Sequence, residues 1–213
     1  MPGASMMDKG AKIEKDSFSI IEAGMARHFD EQCLPVVKRV IHATGDFDFE
    51  NILKFHAGAI RSGISAIRAG KDIFVDVKMV EAGIDKKALS KFGGTVVCYI
   101  SDEDVEMAAG QKAMTRAECA VEKAFLNNET AAKWGIAAIG NAPTALIRLM
   151  ELIEDGKVGP GLVVGVPVGF VRAEESKAAL AKQPYPYITC LGRKGGSPIA
   201  AAIINAIIKL AAQ

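Results

Sequence analysis

A repeated alternation of short β-rich runs with helical stretches limits what this chain can become more than any other feature. The runs lie at 73–77, 95–100, 134–139, 162–166 and 187–191, and helical segments fill the intervals between them. Strand, turn and helix, repeated with mostly short connections, predict a mainly parallel sheet with helices on both faces: a three-layer α/β/α sandwich. Helix starts are written into the chain. Thr115, Arg116, Ala117 and Glu118 have the spacing of a capping box, in which hydroxyl and carboxylate each satisfy a free N–H of the first turn. Pro143 and Pro198 stand where a helix tolerates a missing N–H. Upstream, Leu34, Val37, Val40 and Ile41 recur at three- and four-residue steps and predict a helix over 30–43. Another helix is expected within 47–70, with Ala59, Gly63, Ala66 and Ile67 on a small-residue face. Residues 1–12 are expected to form a loose arm. No linker or repeat offers a place to cut, so residues 1–213 read as a single domain.

Composition removes several functional classes. With 26 Lys and Arg against 25 Asp and Glu, the chain lacks the basic excess of a nucleic-acid binder. Its most apolar stretch, 198–213, spans 16 residues and includes Asn205 and Lys209, too short and polar to cross a bilayer, so it reads as a buried helix. The N-terminal residues lack the apolar centre of a signal peptide. Cys33, Cys98, Cys119 and Cys190 are scattered without a C-x-x-C pair, which suits free thiols in a reducing cytoplasm. Phosphate-loop, dinucleotide, nucleophile-elbow and zinc-protease patterns are all missing. The chemistry expected is therefore light: positioning, hydrogen bonding and one proton moved, with no built-in metal.

Ligands of parallel sheets gather at the carboxyl ends of the strands. Here those loops read Ile139-Gly-Asn-Ala-Pro-Thr144, Val166-Pro-Val-Gly-Phe170 and Gly192-Arg-Lys-Gly-Gly-Ser197. Glycine lets backbone approach a ligand, and helix N-termini favour anions, so an acidic ligand is one reading; purely geometric loops are the other. Of three histidines, His28 and His56 read as structural or surface groups. His42 ends an apolar helix ahead of Gly45, with Arg39 three residues before it on the same face. A like charge nearby disfavours the imidazolium, which leaves a neutral ring able to donate and accept a proton. A histidine that merely satisfies the last helical carbonyls fits the same spacing.

The segments Arg39-Val-Ile-His-Ala-Thr-Gly45, Ile139-Gly-Asn-Ala-Pro-Thr-Ala-Leu146, Val166-Pro-Val-Gly-Phe-Val171 with Glu175-Ser-Lys177, and Gly192-Arg-Lys-Gly-Gly-Ser197 stand in order between Ser17 and the last helix. Together they resemble the precorrin-8X methylmutase family, including its cobalt-precorrin-8 branch. Asp76-Val-Lys-Met-Val80 also looks like the family's pattern. The resemblance implies an isomerase of cobalamin biosynthesis that moves a methyl group from C11 to C12 of precorrin-8 or cobalt-precorrin-8. It implies no external cofactor, and a homodimer with the site near the subunit interface. Carried over by motif, the catalytic histidine falls on His42 and substrate contacts fall on Ser17 and Arg39. Thr115 and Arg116 are expected to reach a site, that of the partner subunit included. Ser17 also suits an N-cap for a helix beginning at Phe18, and Asn141 a cap for the Pro143 helix. Arg193 and Lys194 could hold an acidic side arm or face a partner or water. Against the enzyme stands a carrier that binds the corrin product without catalysis; the His42–Arg39 pair argues against it.

Overall fold

The computed structural model describes residues 3–126 and 133–213, with side chains described from residue 9. One sheet of six strands runs through the molecule in the order β1-β6-β5-β4-β2-β3. Its strands are β1 (Leu53–Phe55), β2 (Asp72–Val75), β3 (Val96–Val97), β4 (Trp134–Ile139), β5 (Leu162–Gly165) and β6 (Tyr187–Cys190). Neighbours from β3 to β6 pair in parallel, whereas β1 runs antiparallel to β6 with Leu53 opposite Cys190. The helices are α1 (Gly3–Gly24), α2 (Leu34–Thr44), α3 (Phe49–Ile52), α4 (Ala59–Arg68), α5 (Lys78–Gly83), α6 (Lys86–Ser90), α7 (Glu103–Lys112), α8 (Arg116–Phe125), α9 (Pro143–Glu154), α10 (Ala173–Leu180) and α11 (Ser197–Ala211).

The sheet separates two cores. Side chains of a strand alternate between faces: Ile73, Val75, Ile136, Ala138, Leu162 and Val164 enter one core, while Phe74, Ala137, Ile139 and Val163 enter the other. The first core is covered by α2, α4, α5 and α11, the second by α8, α9 and α10. Covered on both sides, β4, β5 and β6 are buried throughout, which is why they read as unbroken apolar runs. Helix α11 is apolar nearly all round because it lies under α2, α4 and α5 as well as on the sheet. The expected three-layer sandwich is the fold observed, and among the described residues no helix is long and apolar enough to cross a membrane.

Three local expectations differ from the structure. Residues 3–12 of the expected loose arm are the opening turns of the 22-residue α1, which docks on α2 through the partly buried Phe18 and the buried Ile21; residues 1 and 2 lie outside the described residues. The helix expected within 47–70 is split: β1 interrupts it, and α4 begins only at Ala59. The small-residue face is real, since a side chain at Gly63 would press on Leu162 and Ile207 at 2.9 and 3.1 Å. The run at 95–100 contributes only two strand residues at the sheet edge.

Candidate functional site

Helix α2 carries the central residues. Pro35 occupies its first turn, and it stops where Gly45 turns to φ +65° and returns its N–H to the Ile41 carbonyl. Val36, Val37, Val40 and Ile41 face the core, so Lys38, Arg39 and His42 are left on the outer side. Helix α1 crosses that side. Ser17 Oγ and His42 Nδ1 share a hydrogen bond of 2.9 Å. The Phe18 ring stands edge-on to the imidazole, 5.3 Å between centroids, and the Arg39 guanidinium lies 4.7 Å from the same ring. Arg39 Nη2 is in direct contact with Glu14 Oε1, and Lys209 of α11 reaches the same oxygen at 3.5 Å. Burial works against the Glu14 carboxylate, but hydrogen bonds and charge from Arg39 and then Lys209 hold it below the ordinary value.

Ser17, Arg39 and His42, far apart in sequence, thus form one constellation on the outer side of α2. Two details depart from expectation. Ser17 sits inside α1, not at its start, and its hydroxyl serves His42, not a helix end. Arg39 is paired with Glu14, so the charge set beside His42 is compensated and the imidazole's immediate partner is a hydroxyl. The other histidines remain outside this group. His56 accepts the N–H of Gly58 through Nδ1, and His28 is exposed.

The carboxyl ends of the strands form a second organised region. Asp76 follows β2, is fully buried, and takes three backbone N–H groups from the loop after β4. Gly140 donates to Oδ1 at 2.9 Å; Asn141 and Ala142 donate to Oδ2 at 2.8 and 2.7 Å. Burial pushes this carboxyl up, and the three donors oppose that push. Asn141 therefore takes part through its backbone, and Ala142, not Asn141, is the N-cap of α9. Thr144 in the first turn of α9 meets Thr115 Oγ1 at 3.0 Å. Thr115 is the expected capping residue of α8, reciprocated by Glu118, and Arg116 follows it, exposed. Both belong to the face of the sheet opposite α2, so a single chain does not bring them to His42.

The glycine loop after β6 joins the regions. Lys194 Nζ bonds Asp46 and Asp48 at 2.5 and 2.8 Å, just beyond the end of α2; it holds the Asp46 carboxyl down and is itself pushed up by both acids. The Lys194 carbonyl accepts from Lys177 Nζ, a fully buried ammonium 3.8 Å from Cys190 Sγ, and burial pushes that ammonium's pKa down. Arg193 lies 5.4 Å from the Phe170 ring. The contacts made by Glu14, Phe18, Lys209 and Lys177 were not read from the sequence. The first two had a usable signal, because Glu14, Ser17 and Phe18 are spaced to share one helical face.

Comparison with known proteins bears on the family and the fold. The family model described as precorrin-8X methylmutase matches residues 12–210. A cobalt-precorrin-8 methylmutase from Priestia megaterium is 47% identical over 94% of this chain and 88% of its own length. A precorrin-8X methylmutase from Pseudomonas aeruginosa is 39% identical over 93% of this chain and 94% of its own. Among solved structures, the precorrin-8X methylmutase of Thermus thermophilus superposes with a TM-score of 0.86 at 41% identity, covering 95% of this chain and 96% of that one. With its motifs, its fold and its full-length relatives in agreement, this chain belongs to the precorrin-8X methylmutase family.

Proposed function

We propose that this isomerase of the cobalamin pathway moves the methyl group at C11 of a precorrin-8-type macrocycle to C12, with His42 as the proton donor and acceptor. The bond from the methyl carbon to C11 breaks as the bond to C12 forms, with no net change of oxidation state. The observation that carries this reading is the convergence of Ser17, Arg39 and His42 from two helices. With Nδ1 held by Ser17, Nε2 is the ring nitrogen left to exchange a proton with a pyrrolic nitrogen beside the migrating centre. A proton placed there eases the shift, and such help is typically worth ~10²–10⁴ in rate. Arg39 holds a side-chain carboxylate of the macrocycle.

The active unit in this proposal is a homodimer. Thr115 and Arg116 lie across the sheet from His42, so Thr115 of the partner subunit and Arg116 of the partner subunit would complete each site. The four free cysteines fit a cytoplasmic enzyme. Cobalt-precorrin-8 is the substrate to test first, because the relative named for it reaches 47% identity against 39% for one named for precorrin-8X.

The test is anaerobic incubation with cobalt-precorrin-8 and with precorrin-8, followed by visible spectroscopy. The expected result is a new corrin spectrum, slowed by ~10²–10⁴ in kcat in His42→Ala with little change in KM. Substrate bound but unchanged by the wild type would establish the carrier instead. Mixing His42→Ala with Arg116→Ala subunits should restore part of the activity that each lacks; no restoration would remove the shared site.

A further inference from the structure

We infer that Lys209 and Arg39 together form a seat for one carboxylate of the macrocycle, and that Glu14 of α1 occupies this seat in the free chain. The inference rests on the proposed function and extends it to a residue with no assigned role. Two cations from different helices, Arg39 on α2 and Lys209 on α11, converge on a single oxygen, Glu14 Oε1. Both also approach one aromatic ring, with Phe18 4.7 Å from the guanidinium and 6.0 Å from the ammonium. A groove of about 450 Å³ opens directly beside them and is lined further by Lys91 and Asn205. The other acid at this groove, Asp85, is committed to capping α6 through the Ala88 N–H. Among the described residues, Glu14 is thus the carboxylate that serves Arg39 and Lys209.

The seat is built for exchange. The Glu14 side chain is 32% exposed and that of Arg39 21%, so an incoming carboxylate reaches the pair from the groove without crossing the core. Replacing one carboxylate by another keeps both cations paired. Leaving them empty would strand a half-buried guanidinium, which is costly. Helix α1 does not depend on Glu14 for its place, because Ile21 packs into the core, Ser17 bonds His42 and Glu22 pairs with Lys38 at 2.7 Å. Its carboxylate can therefore yield to a ligand while Ser17 keeps its hold on the imidazole. The ligand class that fits is a polycarboxylate with a flat apolar body, whose acid arm enters the seat from the groove.

The experiment measures binding of cobyrinic acid, a corrin with free carboxylates, and of its methyl ester by calorimetry. Proteins compared are the wild type, Lys209→Met, Glu14→Gln and the double variant. The expected result is a roughly two- to five-fold weaker Kd for the acid in Lys209→Met, with the ester unaffected. Glu14→Gln should tighten the acid by a similar factor, since the internal competitor is gone. KM for cobalt-precorrin-8 should follow the same order with kcat unchanged. An unchanged Kd in Lys209→Met, or weaker binding of the acid in Glu14→Gln, overturns the inference while the proposed function stands. A wild type that neither binds the acid nor turns over cobalt-precorrin-8 overturns both. Lys209 is 59% exposed, so its replacement leaves folding intact, and a melting curve checks this.

Discussion

Replacing Asp76 should loosen the strand ends more than any other single change near the loop after β4. In the structure this carboxylate is fully buried and receives three N–H groups at 2.7–2.9 Å from Gly140, Asn141 and Ala142. Asp76→Ala deprives all three donors of their acceptor at once. An orphaned buried donor costs ~1–3 kcal/mol, but the Asn141 and Ala142 groups are only partly buried and water can reach them. Relief of the buried charge offsets a further part. The net loss should be about 3 kcal/mol, or roughly 6–12 °C in Tm at this chain length. Asp76→Asn is the sharper probe. Its single amide oxygen, turned toward Asn141 and Ala142, aims the NH2 group at the Gly140 N–H, so two donors face each other. About 1–3 kcal/mol should be lost. Urea titration at pH 7, followed by far-UV circular dichroism, measures both variants, and an unchanged slope shows that the midpoint shift is stability. Turnover assays should show KM rising, because the loop that sets Thr144 against Thr115 loses its anchor. An Asp76→Asn protein within about 0.5 kcal/mol of wild type would refute the argument that this carboxylate organises the loop.

Two further perturbations report on other parts of the frame. Gly195 has φ +154°, and a side chain there would strike the backbone oxygens of Val166 and Pro167; Gly195→Ala should cost roughly 2–4 kcal/mol, read as a fall of about 4–16 °C in Tm. Glu122 joins three helices, with Arg148 Nη2 at 2.7 Å and Lys112 Nζ at 2.6 Å on its two oxygens. Burial raises its carboxyl, but these cations outweigh that and hold it below the ordinary 4.5. A depressed carboxylate stabilises the fold above its unfolded pKa and loses that contribution as pH falls through the folded value. Glu122→Gln should therefore cost about 1–2 kcal/mol at pH 7 and nothing once the pH is well below 4. A cost that persists unchanged into acid would contradict this sign.

How far the molecule was legible in its sequence depended on the range of the forces involved. The capping box at Thr115, the proline at the head of α9 and the buried runs of β4, β5 and β6 are set by neighbours a few residues away, so they could be read directly. The alternation of β-rich runs with helical stretches then led to the layered sheet. The short β1 could not be read, because three residues carry too little pattern and their pairing is with β6, far along the chain. The early turns of α1 were missed for a related reason. These polar turns look unstructured until α2 supplies the surface for Phe18 and Ile21.

The same division runs through the site. Local spacing alone put Arg39 and His42 on one helical face, and the order of the motifs pointed to a family. What only the tertiary structure decided is what each side chain meets. Ser17 could have capped a helix, and packing of α1 across α2 made it the partner of His42. Arg39 could have pressed its charge on the imidazole, and Glu14 took that charge instead. Asp76 had no visible role until the strand order set β2 beside β4 and brought three N–H groups to its oxygens. Backbone preference and hydrophobic periodicity act within a few residues and survive in one dimension. The pairing of buried or half-buried polar groups depends on which elements pack together, and that is settled only in three.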